Sequence, residues 1–277
     1  MQKETPHDGK CVSGRGESVT SIWQEEGTPE NPYLAACCRC HGYDLLELMS
    51  KRSFVDVLFL LFNGELPSPA QRRLLETLMV GCINPGPRHP ATWAVMNAAV
   101  SKTDHAHLLP IGLSVLGGAC GGDEVGRAMR FLRKNQQREP GQLAVELLRS
   151  VERPREGDWH LAPGFGSRFG AIDPLPRQIV DQCQKVVPDG TAIRWGSGFA
   201  DAIAAHQQGW LTAGVVAAVL CDLGFDAAAG AGLYQIICAP GLLAHGVELA
   251  EKPLTAMPFL MDEERYVIAP EAKSSDD

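Results

Sequence analysis

The chain has 277 residues, a length that accommodates one large or two modest domains. With 45% apolar and 21% charged residues, its composition is ordinary for a globular protein, neither disordered nor fibrous. Its 25 Lys and Arg are outnumbered by 33 Asp and Glu, so no overall basic field exists to hold nucleic acid or an anionic membrane.

Residues 1–32 are rich in Gly, Pro, Glu and Ser, with only Val12, Val19, Ile22 and Trp23 as apolar anchors, which predicts an extended, loosely docked lead-in. The first residues contain no apolar signal core. The longest greasy run, Phe54 to Phe62, is broken by Asp56 and falls far short of the roughly 20 residues of a bilayer span, so a cytoplasmic protein without a membrane partner is expected. Nine cysteines, an odd number without a secretion signal, point to reduced thiols, most of them buried.

Ser53 is placed to cap a helix whose apolar residues Phe54, Val57, Leu58 and Leu61 recur at helical spacing, and Gly64 follows as a stop. Ser68-Pro69-Ala70-Gln71 is a capping box with proline at the first helical position, opening a second helix through Leu74, Leu75, Leu78 and Met79 to Gly81. Asn84 to Pro90, rich in proline, is loop. Helices are then predicted at about 91–101, 105–116, 123–137, 140–151, 175–187, 199–208, 213–223 and 226–248. No run alternates at period two for long, which makes the fold class all-α. The chain is conspicuously charged from Arg127 to Glu156, consistent with a smaller, more exposed subdomain, and the final EAKSSDD reads as a solvated tail.

Two clusters offer metal-ligand types. Cys37-Cys38-Arg39-Cys40-His41 has three thiols and an imidazole, but adjacent cysteines do not readily meet one tetrahedral ion and no distant partner pair exists, so no metal is expected. His105-Ala106-His107 is better explained as a helix start after Asp104 than as a chelate. Arg127, Arg130, Arg133 and Lys134 share one helical face, either a solvated surface or a strip for docking phosphate.

Several islands stand in the order of a known family. His41-Gly42-Tyr43-Asp44-Leu45, then Ser53-Phe54, then Leu60 to Pro67 (LLFNGELP) resemble the opening of citrate synthases. Leu116-Gly117-Gly118-Ala119 is similar to their "HGGA" turn, Pro163-Gly164-Phe165-Gly166 to "PGFGH", Asp173-Pro174 to "DPR", and Gly241-Leu242-Leu243-Ala244-His245 to the "GLxAH" helix. The compact length and the stretch Ala217 to Phe225 look closest to the citryl-CoA lyase branch. This resemblance implies a large helical domain from 33–118 and 213–268, a small domain from 119–212, and a homodimer with the site in a cleft; the composition of the end makes 269–277 a disordered tail. It implies no permanently bound cofactor, with CoA or acyl-CoA as substrate or ligand. It also implies carbon-carbon bond chemistry on CoA esters, in which histidines and an aspartate move protons and arginines hold carboxylates.

Carried over residue by residue, the family's chemical positions hold other side chains. The histidine of "HGGA" is Leu116, the histidine closing "PGFGH" is Ser167, the aspartate falls near Ala213, the arginine before Gly241 is Cys238, the third position of "DPR" is Leu175 with Arg177 nearby, and "DHG" meets Asn84-Pro85-Gly86. Leu, Ala and Pro transfer no protons, and Cys offers no guanidinium fork. What the resemblance retains is the CoA loop Pro163, Gly164, Phe165 and Gly166, with Arg168 either a phosphate contact or a surface arginine. Ser167 and His206 are the catalytic candidates that remain; His206, at the end of a predicted helix, and His160, just upstream of the loop, are both candidates to face the cleft, His206 otherwise reading as a helix C-terminal residue that interacts with the dipole. His245 reads as a satisfied interior histidine. Two functions stay open: carbon-carbon chemistry on an unusual acyl-CoA substrate, or a catalytically silent homologue that binds CoA or pairs with an active paralogue.

Overall fold

The computed structural model describes residues 20–154 and 158–256. The EAKSSDD tail, the first 19 residues of the lead-in and the last stretch of the expected large domain, 257–268, lie outside the described residues. In chain order come β1 (Trp23–Gly27), β2 (Ala35–Cys40), β3 (Tyr43–Asp44), α1 (Leu45–Lys51), α2 (Phe54–Asn63), α3 (Pro69–Cys82), α4 (Pro90–Val100), α5 (His105–Leu116), α6 (Gly122–Asn135) and α7 (Pro140–Ser150). They are followed by β4 (Trp159–Ala162), β5 (Phe165–Ser167), α8 (Pro174–Val186), α9 (Thr191–Ile203), β6 (Gly209–Trp210), α10 (Thr212–Asp222) and α11 (Ala227–Ala250). The fold is mostly helical, as the periodicity predicts, with two small three-stranded antiparallel sheets, β1-β2-β3 and β4-β5-β6, that it does not predict. The chain groups into two compact units, one of the chain up to Ile83 with Gly117–Cys238, the other of Asn84–Leu116 with the chain from Ala239 onward.

In the first unit the local signals act as written. The Ser53 hydroxyl accepts from Asp56 N and the Asp56 carboxylate accepts from Ser53 N, closing the capping box of α2, while Gly64 ends it at φ 73°. Ser68 and Gln71 do the same for α3. His41 and Gly42, both at positive φ, form the two-residue turn between β2 and β3, the geometry whose twist suits a hairpin. Asp44 then caps α1 by accepting from Glu47 N, a short helix that the periodicity does not mark. On β2 the thiols of Cys37 and Cys38 point to opposite sides, as strand alternation requires, and the His41 ring hydrogen-bonds the Leu61 carbonyl instead of turning to a metal.

The core of this unit is α10, buried from Ala213 through Leu220 and packed on α6 and α9. Beside it, Phe131, Phe165, Trp195, Phe199 and Trp210 form one ring cluster; Phe165 lies 4.6 Å from Trp210 and 4.8 Å from Phe199, centroid to centroid. Such pairs each add about 0.5–1.5 kcal/mol beyond area burial.

One helix differs from expectation. The sequence predicts 199–208, but α9 starts at Thr191 and ends at Ile203, with residues Ala204–His206 in a 3-10 turn. Its start is capped from a distance: Asp222 accepts from Ala192 N (2.7 Å) and Ile193 N (3.0 Å). Gly196, which looks like a helix breaker, is a packing residue, since a Cβ there would sit 2.2 Å from Trp210 Cη2.

The second unit packs α4, α5 and the later part of α11. Gly112 of α5 and Gly246 of α11 both make room for Val95 of α4: added Cβ atoms would lie 2.5 Å from Val95 Cγ2 and 2.6 Å from Val95 Cγ1. Lys102 donates to the carbonyls of Ala250 and Lys252, each at 2.7 Å, satisfying the end of α11. At 24 residues α11 is long and apolar enough to cross a bilayer, by length and composition only. Leu233, Tyr234, Ile237, Cys238 and Leu242 are nevertheless buried along it, as in the core helix of a packed protein.

Candidate functional site

The expected CoA loop is built against the start of α6. Glu124 occupies the first turn of that helix, where backbone N–H groups and the helix dipole favour a carboxylate. The side chain is only 1% exposed and is held on several sides. Oε1 lies 2.9 Å from His160 Nδ1 and accepts from Gly164 N at 3.3 Å; Oε2 lies 3.1 Å from Arg168 Nη2. Burial alone would push this carboxyl up, but the His160 hydrogen bond, the charges of His160 and Arg168 and the Gly164 N–H outweigh it and hold Glu124 below the usual carboxylate range.

The loop itself is locked by backbone. Gly164 sits at φ 82°, and its carbonyl accepts from Leu211 N at 3.0 Å. A Cβ on Gly164 would fall 2.6 Å from Gly214 Cα, and one on Gly214 would fall 2.1 Å from Gly164 O, so the turn and α10 meet glycine to glycine. Gly164, Phe165, Gly166 and Ser167 are all buried, with Pro163 and Arg168 half-buried. The exposed part comes directly after. The Ser167 hydroxyl donates to the Ala171 carbonyl at 3.0 Å, closing a turn that passes through Gly170 at φ 75° and presents Phe169, which is 81% exposed. Phe169 is the loop residue that sequence reasoning missed, because the family pattern draws attention to the glycines.

Ser167 commits its hydroxyl to its own turn, and His206 lies exposed in the 3-10 turn before β6; no hydrogen bond joins them among the described residues. His160 is the imidazole that does meet a carboxylate beside the loop. Among the positions that the resemblance marks for chemistry, Leu116, Ala213 and Cys238 are buried. The Cys238 thiol donates to the Cys82 carbonyl at 3.3 Å, and burial pushes it up to about 12, far from a reactive thiolate. Arg177 is tied to Asp181 and Asp201. Asn84 accepts from Gly86 N at 2.8 Å and is 3.1 Å from His245 Nε2, so half-buried His245 pins that loop.

Of the basic strip, Arg127 pairs with Asp123 at 3.0 Å and Arg133 donates to the Phe225 carbonyl. Among the described residues no group of three or more His, Cys, Asp or Glu is placed to hold a metal ion. An open groove of about 750 Å³ runs between α3 and α8, lined by Arg73, Thr77, Val80, Gln178 and Gln182. No residue of the glycine loop lines it, so its size does not tie it to CoA.

Neither a family model nor a curated protein matches the sequence. Solved structures do match the fold. Citryl-CoA lyase from Hydrogenobacter thermophilus aligns with a TM-score of 0.73 at 23% identity, covering 92% of this chain and 96% of that one. ATP citrate lyase from Methanothrix soehngenii, in complex with citrate and coenzyme A, aligns with a TM-score of 0.70 at 16% identity, covering 91% of this chain and 43% of that one. Citrate synthase from Thermotoga maritima aligns with a TM-score of 0.53 at 13% identity, covering 95% and 96%. The chain has the citrate synthase-like fold that its motif islands imply.

Proposed function

We propose that this protein binds CoA or an acyl-CoA on a citryl-CoA lyase fold without running the usual citrate chemistry, serving as a regulatory or structural subunit. The observation that carries the proposal is the fate of the chemical positions: Leu116, Ala213 and Cys238 are buried, and Ser167 is buried and hydrogen-bonded to its own backbone. Side chains so placed offer neither a proton shuttle nor a guanidinium fork. CoA binding is supported by the glycine loop, held rigid by Glu124 and α10, and by the exposed turn that follows it. A structure in the same fold holds citrate and coenzyme A. Self-association as a dimer, or pairing with an active paralogue, completes the proposal.

A second reading, carbon-carbon chemistry on an unusual acyl-CoA, is favoured by one feature, the carboxylate-imidazole pair Glu124–His160 beside the loop. Turnover separates the two. Incubation with citryl-CoA, and with acetyl-CoA plus oxaloacetate, should yield no acetyl-CoA and no free thiol above a protein-free control. Formation of either product overturns the silent reading.

A further inference from the structure

Burying a lone carboxylate is expensive, and a buried ion pair is at best weakly stabilising relative to an apolar replacement. Glu124 nevertheless sits 1% exposed in the first turn of α6, its cost offset by the partners that gather on it. Its two oxygens divide their partners in a way that fits a spatial task. Oε1 gathers His160 of β4 and the N–H of Gly164, the inner side of the loop. Oε2 takes Arg168, the residue from which the exposed turn departs. Among the described residues, the hydrogen bonds of the Arg168 guanidinium pass through Nη2, to Glu124 and to the Cys120 carbonyl at 2.8 Å, while its buried Nε–H has no partner. Arg168 is thus anchored at a single corner, and Glu124 is the charged half of that anchor. Downstream, Ser167 and Ala171 close the turn, and Ile172 packs so closely on Gly209 that a Cβ there would lie 2.9 Å from Ile172 Cγ2. Phe169 is therefore displayed on a short span fixed at both ends, and the upstream end depends on Glu124.

We propose that Glu124 is a positioning residue which, through Arg168 and Gly164, fixes the exposed turn Phe169–Ile172 in the shape that an acyl-CoA nucleotide meets; this rests on the CoA-binding reading above. Glu124 touches no ligand itself. It acts by removing the freedom of the turn before binding, so that less ordering is left for the ligand to impose.

The test is a calorimetric titration of CoA into the wild type, Glu124→Gln, Arg168→Gln and the double variant. Each single variant should weaken CoA by about tenfold, the scale of one lost charge-assisted hydrogen bond. The double variant should be no weaker than either single one, because both cut the same tie; such non-additivity in affinity is a signature that general destabilisation does not produce. Arg168 is partly exposed, so Arg168→Gln keeps the test available if Glu124→Gln folds poorly. In ligand-free protein the Gly164 amide should also exchange faster in Glu124→Ala and at the wild-type rate in Arg168→Gln. Additive losses, unchanged CoA affinity in Arg168→Gln, or unchanged Gly164 exchange in Glu124→Ala overturn the positioning role while leaving CoA binding in place. No CoA binding by the wild type overturns the functional reading and this role with it.

Discussion

At the scale of single residues, buried Glu124 and half-buried Asp222 shift in opposite senses. Glu124 is held below the usual range, so its contribution to stability is complete above the unfolded carboxylate value and is lost as pH falls through the lowered folded one. For Asp222, burial outweighs the hydrogen bonds from Ala192, Ile193 and Thr191 and pushes the carboxyl up; its contribution is greatest in acid and is lost as pH rises through the raised value. Between about pH 5 and pH 3, melting temperature should therefore fall less in Glu124→Gln than in the wild type. Gly214→Ala puts a methyl group into the Gly164 carbonyl and should cost about 1–3 kcal/mol in denaturant unfolding. Phe169→Ala, by contrast, should leave the melting curve in place while weakening CoA about tenfold, the scale of lost base stacking, with Phe169→Tyr retaining affinity.

At the scale of elements, the second unit is a test of helix packing through glycine. Gly112→Ala and Gly246→Ala should each destabilise by about 1–3 kcal/mol, and Val95→Ala should offset part of either loss because both methyl groups strike the same side chain. Denaturant titration of the single and paired variants measures that coupling. Such contacts explain which elements are legible in advance. α2 and α3 carry their own capping boxes, four residues each, and begin where Ser53 and Ser68 say they should. α9 does not, because its cap is Asp222, 30 residues from Ala192, and its two glycines resemble breakers until Trp210 and Pro140 are seen against them. The strands escape notice since each spans at most six residues, too few for alternation to stand out, and the strands of β4-β5-β6 are largely buried on both faces.

At the scale of the whole molecule, the ordered islands from HGYDL to GLLAH are enough to name the fold, because spaced turn and cap residues encode where helices stop and how closely they approach. The site is legible only in outline. Pro163 to Gly166 mark the loop, but what holds it is Glu124, an acid that in sequence looks like any first-turn helix residue, and what it displays is Phe169, two residues past the family pattern. Long-range pairing distinguishes Glu124, and exposure distinguishes Phe169. The proposed function thus joins CoA binding on a citrate synthase-like fold to buried side chains at Leu116, Ala213 and Cys238. The most direct test of that union is the melting temperature of the protein titrated with CoA, with citrate and oxaloacetate in parallel. Stabilisation that grows with CoA concentration, about 2.7 kcal/mol at a hundredfold excess over the dissociation constant, with no response to citrate or oxaloacetate, is the predicted result; no shift with CoA, or an equal one with either acid, contradicts it.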